Sequence, residues 1–120
     1  MDSILTSIKQ MLGIEGAYTH FDSNIVMHIN TTFLSLQQIG VGPVEGFSIA
    51  DATAKWSDFI GDNKLLEAVK SYMYVKVKLL FDPPNTSFVL DALERLATQL
   101  EWRLNIQVDT PAVVEVVNEL

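Results

Sequence analysis

The chain has 120 residues, of which 48% are hydrophobic and 19% are charged, and its formal charge is −7. Scattered basic residues in an acidic chain argue against sequence-independent binding to a phosphate backbone and do not favour an anionic membrane surface. The absence of cysteine excludes disulfides and cysteine-based metal sites. We expect one soluble domain, made in the cytoplasm without a secretory signal or membrane span, with some apolar surface left for a partner.

Two amphipathic helices are predicted in the first third of the chain. The first begins at a cap, Asp2 or Ser3, and ends at Gly13. The second begins at a cap in residues 22–23, Asp or Ser, and runs to Ile39. Its apolar period continues across poor helix formers at 30–32, so the pattern still favours helix.

The strongest break in the sequence lies at 40–46, where three glycines and a proline predict a loop. Residues 47–49 are too short to assign and are compatible with extended chain. Residues 52–60, which include Trp56, predict a short helix that ends at Gly61.

A third long helix is predicted from a cap at Asp62 or Asn63 to Phe81, and the prolines at 83–84 end it. Apolar residues at 69–81 occupy more than one face of this helix. Such a helix lies either at the centre of a bundle or between subunits.

A fourth helix is predicted from a cap at Ser87 or Thr86, with a leucine-rich period that continues to Leu104. Alternation at 106–109 then predicts a short strand or extended arm. Thr110 followed by Pro111 is typical of a helix start, although the β-branched residues that follow are equally compatible with extended structure.

These patterns together predict an all-α fold, a small bundle of about four to five helices with a glycine-rich loop. We place the helical domain at 1–105 and a C-terminal arm or short helix at 106–120. The glycine-rich loop and the arm have no clear place in a monomer, and segments of that kind can become ordered on assembly.

Residues that could carry catalysis or bind a metal do not form a recognised pattern. His20 and His28 match no metal-binding spacing, and we interpret both as solvated surface residues. The carboxylate pairs available for acid–base chemistry are Asp58 with Asp62 and Glu94 with Glu101. These carboxylates belong to exposed faces or to a helix start, so we predict no catalytic residue, no metal ligand and no cofactor.

Several positions are candidates for contact with another protein chain. Trp102 lies two residues from Leu100 and Leu104 and therefore off the main apolar stripe, which leaves a second core face or a partner contact. Tyr74 and Lys78 share a helix face, where the simpler interpretation is packing beside a solvated basic strip and the other is contact with an acidic neighbour. The candidate interface residues are Trp102, Tyr74, Lys78, Phe81, Val41, Val108, Val113 and Val116.

Several segments together resemble the small head–tail connector (adaptor or head-completion) proteins of long-tailed double-stranded DNA bacteriophages. The resemblance extends over nearly the whole chain and depends on the order and size of the segments, since none is diagnostic alone. The segments are the amphipathic start at 4–9, the break at 40–43 with Phe47 after it, the Trp-Ser-Asp-Phe run at 56–59, residues 66–70 leading to 74–84, and residues 92–95 leading to 101–104.

The resemblance implies a structural virion subunit that forms a ring of about a dozen copies between the portal and the tail. Its partners would be further copies of itself, the portal protein and a tail or head-completion protein, with DNA passing through the ring without specific binding. Our hypothesis is that residues 106–120 pack on a neighbouring subunit or on the portal. A closed ring needs two different patches on each subunit, and an acidic channel discourages tight phosphate contacts. A non-viral helical adaptor without catalytic activity is the alternative, and a DNA-binding helical protein is disfavoured because no predicted helix carries a basic cluster.

Overall fold

The computed structural model describes residues 3–61 and 64–119, with side chains at 3–61 and 64–108. Within these residues the chain forms five helices and no strand, so the prediction of a small all-α bundle is confirmed. The helices are α1 (Ile4–Met11), α2 (Asp22–Gln38), α3 (Trp56–Phe59), α4 (Leu65–Phe81) and α5 (Ser87–Glu119).

Helix α1 begins and ends where the sequence predicts. The side chain of Ser3 caps it by accepting a 3.3 Å hydrogen bond from the backbone N–H of Thr6. Gly13 follows the helix at φ +82°, a conformation that glycine adopts without the steric cost of a Cβ. Its apolar face, which includes Ile4 and Ile8, is buried in the core.

Helix α2 is confirmed, but its predicted cap is wrong. Phe21 is the N-cap, and its side chain has no atom that can accept a cap hydrogen bond, whereas the Asp22 carboxylate, one residue later, pairs with Lys9 at 2.8 Å. The hydroxyls of the threonines at 31–32 each donate a hydrogen bond to the backbone carbonyl one turn earlier in the helix. The Asn30 side chain instead forms hydrogen bonds with a neighbouring segment, so the side chains of all three poor helix formers have hydrogen-bond partners.

The glycine-rich loop is ordered within a single subunit, which corrects the expectation that it lacks a place there. The backbone N–H of Val41 donates to the carbonyl of Leu36 at 2.9 Å, and the Val41 side chain is buried. Gln37 holds the other side of the loop by donating to the carbonyl of Val44 at 2.9 Å. Gly42 has φ +91°, and a Cβ there would overlap the ring of Phe59.

The segment between the loop and α4 is less helical than predicted, since only Trp56–Phe59 of 52–60 is helix. Its earlier residues run along the start of α1, where the N–H of Ile4 donates to the carbonyl of Ala54 at 3.0 Å. Trp56 is buried and its indole N–H donates to the Ser7 hydroxyl at 2.9 Å. These tertiary contacts replace the helical hydrogen bonds.

Helix α4 lies at the centre of the bundle, one of the two places that its sequence predicts. It packs against α1, α2 and α5 and buries Val69, Tyr72, Met73 and Val77. It ends before the two prolines, as expected. The predicted caps Asp62 and Asn63 lie outside the described residues.

Helix α5 is one continuous helix, so the prediction of a strand or extended arm at 106–109 is wrong. Leu104 and Val108 are four residues apart, and both contact the core. Residues at this spacing lie on the same face of a helix as well as of a strand, so the core contacts are compatible with a helix. At about 1.5 Å per residue the 33-residue helix is about 50 Å long. The helix crosses 105–106 without a break, and a separate role for 106–120 stays a prediction.

Candidate interaction surfaces

The structure distributes the candidate interface residues between the core and the surface. Val41 is buried in the core, and Tyr74, Phe81 and Val108 are partly buried against it. Val113 and Val116 belong to α5, beyond the described side chains. Only Trp102 of this set is a large apolar side chain fully on the surface among the described residues, and the interface role of all eight stays a prediction.

Trp102 does not belong to a second face of the core, because 65% of its surface is exposed. It lies on the side of α5 opposite the buried residues Ala97 and Leu104. Phe88, 78% exposed, lies on the same side, as does Ile106. Exposed aromatic residues on one helix face are typical of protein-binding surfaces.

We define the α5 stripe as the exposed residues that follow one another on this side of the helix at steps of four and three. The spacing keeps them in line along the helix, as in the seam of a coiled coil. The α5 stripe consists of Phe88, Ala92, Arg95, Gln99, Trp102 and Ile106.

A second surface, which the sequence analysis did not single out, follows the outer side of α2. Met27 and Leu34 are 57% and 56% exposed there. The signal in the sequence is the absence of Asp, Glu, Lys and Arg from residues 23–44. Exposed residues again follow at steps of three and four, and the α2 stripe consists of Asn24, Met27, Thr31, Leu34 and Gln38.

The lysines of the basic strip predicted on α4 already interact with other side chains of the same subunit. Lys78 donates a 2.8 Å hydrogen bond to the Asp82 carboxylate, four residues later at the end of the helix. The ammonium of Lys76 lies 5.9 Å from the ring centre of Tyr72. Because the positive charge of Lys78 already has a carboxylate partner, its attraction for an acidic neighbour is reduced.

Phe81 belongs to an aromatic group at the end of α4. Its ring meets Phe21 at 5.4 Å and His28 at 6.3 Å, in edge-to-face arrangements. His20 is exposed and stacks edge-on against Phe21 at 4.8 Å. The two histidines thus pack against aromatic rings at the surface, and the described residues contain no group of three His, Asp or Glu arranged to hold a metal ion.

Of the two carboxylate pairs named from the sequence, Asp62 lies outside the described residues, and two of the other carboxylates accept hydrogen bonds within the chain. Glu101 accepts a 2.7 Å hydrogen bond from the Tyr72 hydroxyl, and Asp58 accepts one of 2.9 Å from the Lys55 backbone N–H. Burial, followed by the hydrogen bond and the negative charge of Glu101, raises the pKa of Tyr72 well above its ordinary value. This environment keeps the phenol protonated, so it acts as a permanent hydrogen-bond donor.

One polar cluster ties the start of α2 to α1. Lys9 is buried, and its ammonium donates to the carbonyls of Gly16 and Tyr18 at 3.0 and 2.7 Å and pairs with Asp22 at 2.8 Å. The ammonium thus makes two hydrogen bonds and one ion pair, and the cluster fixes the loop between the two helices.

A helical bundle that exposes large apolar side chains on two of its helices has the surface of a protein that binds other chains. Comparison with protein families gives a match to the phage connector protein family over residues 4–111. The chain therefore belongs to the phage connector protein family, a family of structural virion components. The match favours the virion interpretation over a non-viral adaptor.

The other comparisons add no relative. Neither the curated proteins nor the solved structures contain a match to this chain. None of the helices in the described part of the chain has the length and hydrophobicity to cross a bilayer.

Proposed function

We propose that the chain forms a ring between the portal and the tail of a bacteriophage and extends the channel through which DNA passes. The family match over 4–111 is the observation that carries this proposal. The partners are further copies of the same chain, the portal protein, and a tail or head-completion protein.

The surface of the subunit supports assembly with other chains. Five large apolar residues are exposed among the described side chains of α5, and a monomer that leaves such residues in contact with water loses solubility. They are Phe88, Val89, Leu96, Trp102 and Ile106.

The charge of the chain suits a DNA channel. At −7 per subunit, a ring of many copies carries a large negative charge, which repels the phosphate backbone at short range. DNA then moves through the ring without being held.

The proposal is tested by mixing the purified chain with portal rings from a phage that encodes it and imaging the product by electron microscopy. We expect a ring of subunits on the tail-proximal face of the portal. Mass measurement of the chain alone, at increasing concentration, shows whether the ring also forms without the portal. A chain that neither binds portal nor forms rings contradicts the proposal.

A further inference from the structure

We infer that neighbouring subunits join through the α5 stripe of one copy and the α2 stripe of the next. This inference rests on the proposed ring and adds the two surfaces that close it. A ring is built from head-to-tail contacts, so each subunit must present two different surfaces that fit one another.

The two stripes match in geometry. Both consist of exposed residues spaced at alternating steps of three and four, the spacing at which the side chains of two neighbouring helices interlock in a coiled coil. The α2 stripe, from Asn24 to Gln38, is about 21 Å long, and the α5 stripe, from Phe88 to Ile106, is about 27 Å long. One helix can therefore lie along the other over the length of α2.

The two stripes also lie on different sides of the subunit. Helix α4 packs between α2 and α5. The inward faces of the two outer helices are buried, at Ile25 and Ile29 in α2 and at Ala97 and Leu104 in α5. Because each stripe lies opposite the buried face of its helix, one copy can use both stripes at once, with a different neighbour on each.

Charge favours a second copy as the occupant of the α2 stripe. Each copy carries a charge of −7, so two copies repel one another wherever carboxylates meet. The α2 stripe belongs to residues 23–44, which contain no Asp, Glu, Lys or Arg. Arg95, the single charged residue of the α5 stripe, is positive and makes no ion pair within the described part of the chain.

The side chains suit a helix-to-helix contact. Phe88 and Trp102 are rigid aromatic residues of the kind that dominate binding energy when they enter a pocket. Met27 and Leu34 are flexible or branched apolar residues that can form such pockets, with Thr31 between them. Burying the α2 stripe removes apolar surface from water, and Arg95 is the one charged residue among the two stripes that the contact has to accommodate.

The first test uses two charge-introducing variants, Leu34→Glu on the α2 stripe and Trp102→Glu on the α5 stripe. Gln10→Glu, on the exposed side of α1, is the matched control for added charge. All three positions are exposed, so circular dichroism and the urea midpoint should stay close to those of the parent chain. We expect the parent and Gln10→Glu to form rings and each stripe variant to lose at least tenfold in self-association.

Mixing the two stripe variants separates this contact from a symmetric one. The Trp102→Glu chain keeps an intact α2 stripe and the Leu34→Glu chain keeps an intact α5 stripe. An equimolar mixture should therefore give a heterodimer that does not extend to a ring. Loss of assembly in Trp102→Glu alone, with normal rings from Leu34→Glu, would mean that α5 packs against α5 or against another protein, and would overturn the inference.

The second test uses the absence of cysteine from the chain. Single cysteines at Met27 or Leu34 are mixed with single cysteines at Phe88 or Trp102, and disulfide formation is measured by mass under mild oxidation. We expect a cross-link between at least one α2–α5 pair and little cross-linking of the same variant with itself or with Gln10→Cys. Cross-links that join only identical positions would contradict a head-to-tail contact.

Both tests are carried out in a condition that gives a ring, either the concentrated chain alone or the chain bound to portal. A ring that survives both glutamate variants overturns the inference and leaves the proposed function intact. The absence of a ring in both conditions contradicts the proposed function as well. The two failures are therefore distinguishable.

Discussion

The hydroxyl of Tyr72 in α4 donates a 2.7 Å hydrogen bond to Oε2 of Glu101 in α5. Tyr72 is completely buried, and Glu101 reaches it from the partly exposed edge of the next helix. The bond therefore ties the central helix to the helix that carries Trp102, and it fixes how α5 is rotated on the bundle.

Removing this hydroxyl should loosen α5. We expect Tyr72→Phe to lower the free energy of unfolding by about 1–2 kcal/mol, because a hydrogen bond to a carboxylate is lost in a mainly apolar surrounding. Urea denaturation followed by circular dichroism measures the change. Tyr74→Phe is the matched control, since the Tyr74 hydroxyl has no hydrogen-bond partner among the residues that the structure describes, and it should change stability by under about 0.5 kcal/mol.

The same bond predicts a dependence on alkaline pH. The pKa of Tyr72 is raised in the folded chain, so its contribution to stability is complete below the ordinary tyrosine value of 10.0 and is lost as pH rises above that value. The stability difference between the parent chain and Tyr72→Phe should therefore be constant from pH 7 to 9 and should shrink at pH 11. A difference that grew with pH would contradict the sign of the shift.

Lys9 should be the polar residue on which folding depends most. Lys9→Met removes the partner of Asp22 and the donor to two backbone carbonyls, and we expect a loss of about 2–3 kcal/mol. Lys64→Met, at an exposed lysine, is the control and should be nearly neutral. In the Lys9→Met, Asp22→Asn double variant, a coupling energy close to zero would show that the ion pair contributes nothing.

Gly42 is required both for its backbone conformation and for the space beside it. We expect Gly42→Ala to destabilise the chain by about 2–3 kcal/mol, because φ is +91° and the new methyl group would overlap the ring of Phe59. Gly61→Ala is the matched control, since a Cβ there has open space and the backbone is not left-handed. Thermal unfolding of the two variants, compared side by side, separates the local clash from a general effect of losing a glycine.

Asn30 should matter for the segment that follows the glycine-rich loop. Its amide donates to the carbonyl of Ile49 at 3.0 Å and accepts from the Ile49 N–H at 2.8 Å, as a neighbouring strand would. We expect Asn30→Ala to speed amide exchange at Ile49 by at least tenfold, about 1.4 kcal/mol of local stability. Asn24→Ala, on the exposed side of the same helix, should leave that exchange unchanged.

The sequence predicts most of the helices because their apolar period and their breakers are local signals. The start of α1 at Ser3 and the end of α4 before Pro83 follow directly from cap and proline chemistry. The start of α2 does not follow from cap chemistry, because the Asp22 carboxylate pairs with a lysine on another helix instead of capping α2. A tertiary contact, rather than the local sequence, therefore determines the position of that carboxylate.

The end of α5 and the α2 stripe show the limits of pattern reading. Ile106 and Val108 alternate as a strand would, but Val108 also lies one helical turn after Leu104, so the core selects the helix. The sequence indicates the α2 stripe only through the absence of Asp, Glu, Lys and Arg from residues 23–44. The exposure of Trp102 depended on where α5 packs, which its sequence left open between core and surface.

Because α5 is unbroken from the core residue Leu104 to Glu119, it acts mechanically as a lever with its pivot in the bundle. The end of the helix lies about 22 Å from Leu104, so a tilt of about 10° at the pivot displaces it by about 4 Å. A load applied at that end bears on the packing between α4 and α5 rather than being absorbed by a flexible tether.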